Sequence, residues 1–174
     1  PIPASEITWG ITYSELMAKH LGLDSHATLN AIINDLHHKA LRLVAYWDMI
    51  EPTKGMWDFA YLDSQFAEAT RAHIPVILVV GQKAPRWPEC HYPSWIQFSN
   101  SNFPTEGGST SGGQFSNAKT KAQFDQELFN YIQHVVEHYR RNPWLNMWQV
   151  ENEPFLNFGE CPPTDTAFLD KEIA

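Results

Sequence analysis

The segment Met147-Trp-Gln-Val-Glu-Asn-Glu-Pro154 predicts a buried strand that ends in polar residues. Residues that favour strands lead into an amide and two carboxylic acids, and Pro154 ends the ladder because it has no N–H to donate. In a parallel sheet, Asn152 and Glu153 would lie at the carboxyl edge, where α/β barrels hold their active sites. The segment therefore predicts both a strand and a candidate site at its end.

Three more apolar runs, residues 7–13, 41–47 and 75–81, have the length and the composition of strands. Residues 145–150, which overlap the quoted segment, form a fourth and more mixed run. The second and third runs are hydrophobic almost throughout, as expected for parallel strands that are covered on both faces.

Amphipathic helices are predicted between these strands. Apolar residues keep helical spacing over residues 26–40, after Asp58, and over residues 124–139, and Asp24 or Ser25 can cap the first helix. Strands and helices therefore alternate along the chain, which is typical of βαβ units with a parallel sheet.

The spacing of the strands fits successive βαβ units. Equivalent points in the first three strands, Trp9, Leu43 and Ile77, are about 34 residues apart, close to the length of one such unit. The step to the fourth strand is longer, and the excess lies in residues 99–117, which are rich in Ser, Asn, Gly and Thr. We predict that these residues are a flexible insertion in the loop after strand 3.

Four such units are half of a (β/α)8 barrel, which takes about 250 residues. The predicted fold class is therefore α/β, of the (β/α)8 TIM-barrel type, with residues 1–174 forming one partial domain of about four βα units. A doubly wound open sheet is the competing architecture, but no Gly-rich phosphate-binding turn follows the predicted strands. An open half barrel would expose its edge strands, so self-association is expected.

Three segments resemble glycoside hydrolases of the clan built on (β/α)8 barrels, in particular family 5-like (cellulase-like) and family 42-like members. They are Leu41-Arg-Leu-Val-Ala-Tyr-Trp-Asp-Met-Ile-Glu-Pro-Thr-Lys-Gly-Met-Trp-Asp-Phe59, Val79-Val-Gly-Gln-Lys-Ala-Pro-Arg-Trp-Pro-Glu89 and Trp148-Gln-Val-Glu-Asn-Glu-Pro154. The resemblance runs from about Ile7 to the end of the chain. It implies the N-terminal half of the catalytic domain of a retaining hydrolase that acts on β-linked glycosides.

The resemblance also implies roles for three residues. Glu153 is the acid/base, Asn152 binds the 2-hydroxyl of the sugar, and Arg42 orients the nucleophile. In this family the nucleophilic Glu follows strand 7, beyond the four strands predicted here. We therefore expect the chain alone to be inactive, and we expect about four further βα units to be encoded past Ala174.

Structural alternatives remain open for two of these residues. Glu153 could be a strand-end carboxylate that pairs with an arginine. Arg42 lies within an apolar strand, where a buried guanidinium is costly without a carboxylate partner. That partner could be the catalytic nucleophile, or a structural carboxylate such as Asp35 or Glu151.

Side chains in the loops after strands 2 and 3 are candidates for contact with substrate. Indole rings offer flat surfaces to the apolar faces of pyranose rings, and polar neighbours can bond to hydroxyl groups. The candidates are Trp47, Lys83, Arg86, Trp87, Glu89, His91 and Trp95. Trp87 is the strongest, because Arg86 and Glu89 lie beside it, and packing within the loops is the alternative for each tryptophan.

Composition restricts the partners. The formal net charge is −8 and the 12 Lys and Arg residues are scattered, which disfavours a nucleic acid or an anionic membrane surface. No apolar stretch approaches the roughly 20 residues needed to cross a bilayer. A neutral oligo- or polysaccharide fits better. No cofactor is needed for such chemistry, and no metal site is predicted, since His91 has no second ligand at suitable spacing except Cys90.

Cys90 and Cys161 follow strands 3 and 4, and adjacent strands of a barrel bring such loops together on one rim. They could form a disulfide, or they could be two unrelated thiols. A disulfide would favour a secreted or cell-envelope protein. The alternative function is a non-catalytic carbohydrate-binding half barrel, which predicts a stable dimer that completes the sheet.

Overall fold

Four parallel strands form one sheet within residues 8–96, 118–156, 161 and 166–174, which are the residues that the computed structural model describes. The strands are β1 (Gly10–Thr12), β2 (Ala40–Val44), β3 (Val76–Val80) and β4 (Leu145–Val150). Each strand pairs with the next one along the chain. The order never reverses, as it would in a doubly wound sheet. The predicted half of a (β/α)8 barrel is confirmed.

Six helices accompany the strands in the described part of the chain. They are α1 (Glu15–His20), α2 (Ser25–Asp35), α3 (Trp47–Ile50), α4 (Ala60–Arg71), α5 (Ala118–Tyr139) and α6 (Thr166–Ile173). Of the two predicted caps for α2, Asp24 is the one observed, with its Oδ1 accepting a hydrogen bond from the N–H of Ala27. No helix in this part of the chain is long and apolar enough to cross a membrane.

The predicted elements differ from the observed ones mainly at their ends. The second strand was predicted to reach residue 47, but it ends at Val44, and Trp47 begins the short helix α3. The first predicted helix extends to residue 40, whereas α2 ends at Asp35. Helix α1 was not predicted: Ser14 caps it by accepting a hydrogen bond from the N–H of Met17. The predicted flexible insertion, residues 99–117, lies outside the described residues.

The two faces of the sheet have different surroundings. One face carries fully buried side chains of β2 and β3, such as Leu43 and Leu78, which pack with α4 and α5 in the main hydrophobic cluster. Tyr131 of α5 donates a hydrogen bond from its hydroxyl to the carbonyl of Ala45 and so ties this helix to the end of β2. The opposite face carries more polar residues, and Met147 on that face is exposed. In a closed barrel this face lines the interior, where side chains stack in layers.

This asymmetry gives a test of the fold. Leu78→Ala removes a fully buried side chain from the helix-covered face, and we expect the free energy of unfolding to fall by about 2–5 kcal/mol. The matched control, Met147→Ala on the open face, is expected to cost less than about 1 kcal/mol. Urea denaturation measures both. Equal losses would show that something covers the open face in solution.

Candidate active site

The carboxylate of Glu151 joins the carboxyl ends of β3 and β4. Glu151 follows β4 with a left-handed backbone (φ +60°), and only 2% of the residue is exposed. Its two oxygens accept hydrogen bonds from the backbone N–H groups of Gln82, at 2.5 Å, and Lys83, at 2.6 Å. Two consecutive backbone N–H donors stabilise the negative charge of this buried carboxylate.

Gly81 makes this contact sterically possible. A Cβ atom at this position would overlap Oε1 of Glu151, closer than real Cβ atoms approach another atom. The backbone φ of Gly81 is +124°, a conformation that favours glycine. The absent side chain therefore leaves the space in which the Glu151 carboxylate lies.

A second buried carboxyl group, Glu172 of α6, interacts with Glu151. Burial, and after it the charge of Glu151, raise the pKa of Glu172 to about 9. Burial also raises the pKa of Glu151, whereas the N–H donors of Gln82 and Lys83 lower it. Because Glu151 accepts those two bonds, Glu172 is the partner that carries the proton at neutral pH.

Arg42 projects from β2 onto the open face and forms a polar network there. Its Nε donates to Oγ1 of Thr12 at 2.9 Å, and its Nη1 donates to Oε1 of Gln149 at 3.0 Å. Within the described residues, its hydrogen bonds go to these partners and not to Asp35 or Glu151. Neither structural carboxylate considered for it is therefore its partner.

This network reaches the end of β4. Nε2 of Gln149 donates to the carbonyl of Glu151 at 3.1 Å and lies 3.4 Å from Oδ1 of Asn152. Burial lowers the pKa of Arg42, the charge of Arg86 lowers it further, and the carboxylate of Glu153 raises it. The Glu153 carboxylate therefore lies within electrostatic reach of the Arg42 guanidinium.

Asn152 and Glu153 differ in exposure. Asn152 is buried, and its backbone N–H donates to the carbonyl of Lys83 at 2.9 Å. Glu153 is exposed and has a left-handed backbone (φ +51°), and its carbonyl accepts a hydrogen bond from the N–H of Leu156. The structure thus presents a solvent-facing carboxylate beside a buried amide at the carboxyl edge of the sheet.

Lys83 and Glu89, which were predicted to contact substrate, lie inside the protein instead. Only 2% of the Lys83 side chain is exposed, and its Nζ lies 3.3 Å from Oε2 of Glu89, which is also buried. The Lys83 ammonium also donates to the carbonyls of Glu153 and Leu156. A charged pair that is turned inward in this way cannot reach a sugar in the cleft, so this part of the prediction is wrong.

Two of the three candidate tryptophans also pack inside. Trp47 is 3% exposed, stacks against Tyr131 with ring centres 5.3 Å apart, and donates from Nε1 to Oε2 of Glu51. Trp95 lies edge-on to Trp47 and donates from Nε1 to the carbonyl of Glu51. Loop packing, the alternative stated for each tryptophan, therefore describes Trp47 and Trp95.

The remaining candidates divide between the surface and the interior. Trp87 is 52% exposed and its neighbour Arg86 is exposed, so both side chains reach the surface. His91 packs edge-on against Tyr46, and burial lowers its pKa to about 4, which keeps the ring neutral.

Sequence patterns did not single out Thr12, Gln149 or Glu172. Thr12 and Arg42 are paired residues of adjacent strands, and the registers of β2, β3 and β4 place Gln149 on the same face. Alternation along the predicted strands could have grouped these three side chains. Glu172 could not have been found in this way, because α6 contacts the end of β4 through tertiary packing alone.

The structure joins Cys90 and Cys161 in a disulfide, with Cα atoms 5.5 Å apart. The bond links the loop after β3 to the segment after β4. The described residues contain no group of three or more His, Cys, Asp or Glu side chains that could hold a metal ion.

Comparison with known proteins identifies the family to which this site belongs. The family model of glycoside hydrolase family 42, described as β-galactosidase, matches residues 26–169. The chain belongs to this family. The matched region includes Arg42, Glu151, Asn152 and Glu153.

Individual relatives are similar in sequence, and solved structures are similar in fold. The family 42 chain is 29% identical to β-galactosidase BbgII of Bifidobacterium bifidum over 111 residues, which are 62% of this chain and 15% of that protein. Its fold is similar to that of a catalytic mutant of Gan42B, a family 42 β-galactosidase from G. stearothermophilus (TM-score 0.54, 22% identity, 91% of this chain and 22% of that one). Its fold is also similar to that of the exo-β-1,4-mannosidase Op5Man5 from an Opitutaceae bacterium. The TM-score is 0.61 and the identity 15%, and the match covers 95% of this chain and 28% of that one.

The family 42 chain is much shorter than these relatives. It spans 15% of the length of BbgII and 17% of that of the β-galactosidase BglY of Alicyclobacillus acidocaldarius. The comparisons therefore concern the part of the barrel that contains its first four strands.

The contact between Gly81 and Glu151 can be tested directly. Gly81→Ala places a methyl group against the Glu151 carboxylate and strains the backbone, so we expect a loss of about 2–4 kcal/mol in the free energy of unfolding. The control is Gly55→Ala, which has a positive φ of +75° but open space around it, and is expected to lose about 1 kcal/mol. Equal losses in chemical denaturation would mean that the carboxylate contact contributes nothing.

The protonated carboxyl of Glu172 makes stability depend on pH. The folded protein keeps a proton that the unfolded chain releases, so the free energy of unfolding should fall as pH rises from the ordinary glutamate pKa of 4.5 to the raised pKa of about 9. Glu172→Gln, which is permanently neutral, should flatten this fall. Urea midpoints at pH 5, 7 and 9 measure it, with the exposed Asp170→Asn on the same helix as the control. An unchanged slope in Glu172→Gln would contradict the protonation state assigned here.

Proposed function

We propose that this chain carries the acid/base of a retaining β-glycosidase, with Glu153 as that group and β-galactosides as the substrate class. One observation carries the proposal: within a region that matches the β-galactosidase family, Glu153 is an exposed carboxylate at the carboxyl edge of a parallel barrel sheet. The two residues before it support the same interpretation, because Glu151 and Asn152 are buried and hydrogen-bonded while Glu153 faces solvent.

The mechanism assigns two tasks to Glu153. As an acid it protonates the departing glycosidic oxygen while a second carboxylate attacks the anomeric carbon, and as a base it then takes a proton from the water that releases the sugar. The two carboxyl groups of a retaining enzyme lie about 5–5.5 Å apart. We propose that the second one, the nucleophile, comes from the other half of the barrel, so that these four units alone are inactive.

Neighbouring residues would bind and orient the reactants. The amide of Asn152 would bond to the sugar 2-hydroxyl, and its position is fixed by the Lys83 carbonyl and by Gln149. Arg42, held by Thr12 and Gln149, would orient the nucleophile with its guanidinium. Preorganised donors of this kind contribute to catalysis because they need not reorganise during the reaction.

Substrate contacts beyond the reacting sugar would come from the loop after β3. Trp87 offers an exposed indole for stacking on a pyranose ring, and the adjacent Arg86 offers donors for hydroxyl groups. The disulfide between Cys90 and Cys161 ties this loop to the segment after β4. It also favours an oxidising compartment, outside the cytosol.

A second candidate function is a non-catalytic carbohydrate-binding half barrel that associates with itself. The observation in its favour is the open face of the sheet, where Met147 is exposed and Arg42 is only half-buried. It predicts a stable dimer and no hydrolysis.

Substitution of Glu153 tests the acid/base role. In the longest form of the protein that the gene encodes, Glu153→Gln should lower kcat on phenyl β-galactoside by about 100-fold or more, since this leaving group needs a proton. The 2,4-dinitrophenyl galactoside should form the glycosyl-enzyme at a nearly normal rate, because its leaving group departs without one. The control is Glu137→Gln, an exposed residue on α5.

Azide provides an independent readout of the same variant. Azide needs no general base, so it should attack the anomeric carbon of the glycosyl-enzyme, displace the enzyme carboxylate and give β-galactosyl azide. A Glu153→Gln variant with normal kcat on both substrates, or a wild-type protein with no activity, would contradict the proposal. The second outcome together with a stable dimer would favour the carbohydrate-binding alternative.

A further inference from the structure

The ammonium group of Lys83 is buried against the turn that carries Glu153. Its Nζ donates to the carbonyl of Glu153 at 3.1 Å and to the carbonyl of Leu156 at 2.9 Å. Oε2 of Glu89 lies 3.3 Å away and supplies the opposite charge. Three oxygens therefore surround the three donors of the ammonium group, and two of them belong to the backbone of one turn.

The backbone of Lys83 binds the same turn. Its N–H donates to Oε2 of Glu151 at 2.6 Å, and its carbonyl accepts a hydrogen bond from the N–H of Asn152 at 2.9 Å. Main chain and side chain of this one residue thus contact Glu151, Asn152, Glu153 and Leu156. The segment after β3 holds the segment after β4 chiefly through Lys83.

The turn needs such support because its backbone is strained. Glu151 and Glu153 are both non-glycine residues with left-handed φ angles, +60° and +51°. Each such residue costs about 1–3 kcal/mol and persists only where the surroundings fix it. Glu151 is fixed by its own buried carboxylate, whereas the exposed side chain of Glu153 provides no comparable anchor. Two contacts fix the Glu153 backbone: the N–H of Leu156 donates to its carbonyl from within the turn, and the Lys83 ammonium donates to it from outside the turn.

Glu89 makes a buried ammonium tolerable at this point. Its carboxylate is buried, and its backbone is fixed by hydrogen bonds with Ala84 and Arg86. The next residue, Cys90, is bonded to Cys161. The charge partner of Lys83 is therefore anchored independently of the turn that Lys83 holds.

We propose that Lys83 is a positioning residue for the acid/base: its buried ammonium fixes the backbone of the Glu153 turn and so sets the direction of the Glu153 carboxylate. The inference rests on the proposed function, because the direction of the Glu153 carboxylate affects catalysis only if Glu153 is the acid/base. Lys83 acts through Glu153 and does not touch the substrate.

A double variant separates this role from general stability. Lys83→Met alone leaves the Glu89 charge buried without a partner, which destabilises the whole protein. Lys83→Met combined with Glu89→Gln removes both charges together, so the denaturation midpoint should stay close to that of wild type. The carbonyls of Glu153 and Leu156 nevertheless lose the Lys83 donor, and the Glu153 carbonyl keeps only the hydrogen bond from the N–H of Leu156.

In this double variant the turn should lose its conformation while the fold remains. We expect the 13Cα and 13Cβ chemical shifts of Glu153 to move away from left-handed values, and hydrogen exchange at the Leu156 amide to rise about tenfold or more. Amides of β2 and β3 should keep their protection. Lys54→Met, which breaks an exposed ion pair with Glu127, is the control and should change none of these signals. Unchanged Glu153 shifts in the double variant would overturn the proposal.

Enzyme kinetics, measured on the longest form of the protein that the gene encodes, test whether Lys83 affects proton donation by Glu153. The double variant should lower kcat on phenyl β-galactoside about tenfold or more, with KM within about threefold, because a misdirected acid slows protonation rather than binding. Formation of the glycosyl-enzyme from the 2,4-dinitrophenyl galactoside should be spared. Equal losses on both substrates would indicate a purely structural role and would overturn the proposal.

The two proposals can fail separately. If Glu153→Gln shows no dependence on the leaving group, Glu153 is not the acid, yet the NMR result for Lys83 is unaffected. If Glu153→Gln behaves as expected and the double variant does not, only the role of Lys83 is lost.

Discussion

The rim of this half barrel depends on one buried carboxylate. Glu151 places its oxygens on the backbone N–H groups that follow β3, in a space that exists only because residue 81 is glycine. This contact fixes the ends of β3 and β4 relative to each other beyond the last ladder hydrogen bond. The left-handed backbone of Glu151 then turns the chain so that Asn152 is directed inward and Glu153 outward. The contact between Gly81 and Glu151 and the turn at Glu151 therefore determine the geometry of the candidate site.

Ionisable groups, rather than apolar packing, hold this edge of the sheet together. Glu151, Glu172, Lys83 and Glu89 are all buried within the residues that the structure describes. Buried charges of this kind contribute little net stability, because desolvation offsets their attraction, but a charge without its partner is very costly. Conformations that separate these groups are therefore disfavoured strongly. Such a network suits a site whose groups must hold one arrangement, and the apolar cluster beneath α4 and α5 supplies the stability.

Sequence patterns predicted the fold better than the site. Continuous apolar runs and helical spacing depend on which side chains are buried, so β2, β3, α2, α4 and α5 were all found, as was the half-barrel class. The side-chain directions of Trp47 and Lys83 depend on local turns instead. Trp47 begins a one-turn helix that rotates it into the core, and Lys83 folds back under the β4 turn. Neither turn has a composition signal. The Lys83 turn is imposed by hydrogen bonds to residues after β4, and the one-turn helix at Trp47 is tied to the loop after β3 by a bond from the N–H of Asp48 to the carbonyl of His91. The roles suggested for Arg42, Asn152 and Glu153 remain predictions.

The disulfide has a topological consequence. Cys90 and Cys161 are 71 residues apart, and helix α5 and strand β4 lie between them. A single break of the main chain anywhere in that span would open a closed covalent ring without dividing the molecule. The first three strands and the fourth would remain one species, with α5 or part of it attached on either side of the cut. Under non-reducing conditions a nicked molecule would keep its original mass apart from one added water, and the rim that both strands form would stay tethered.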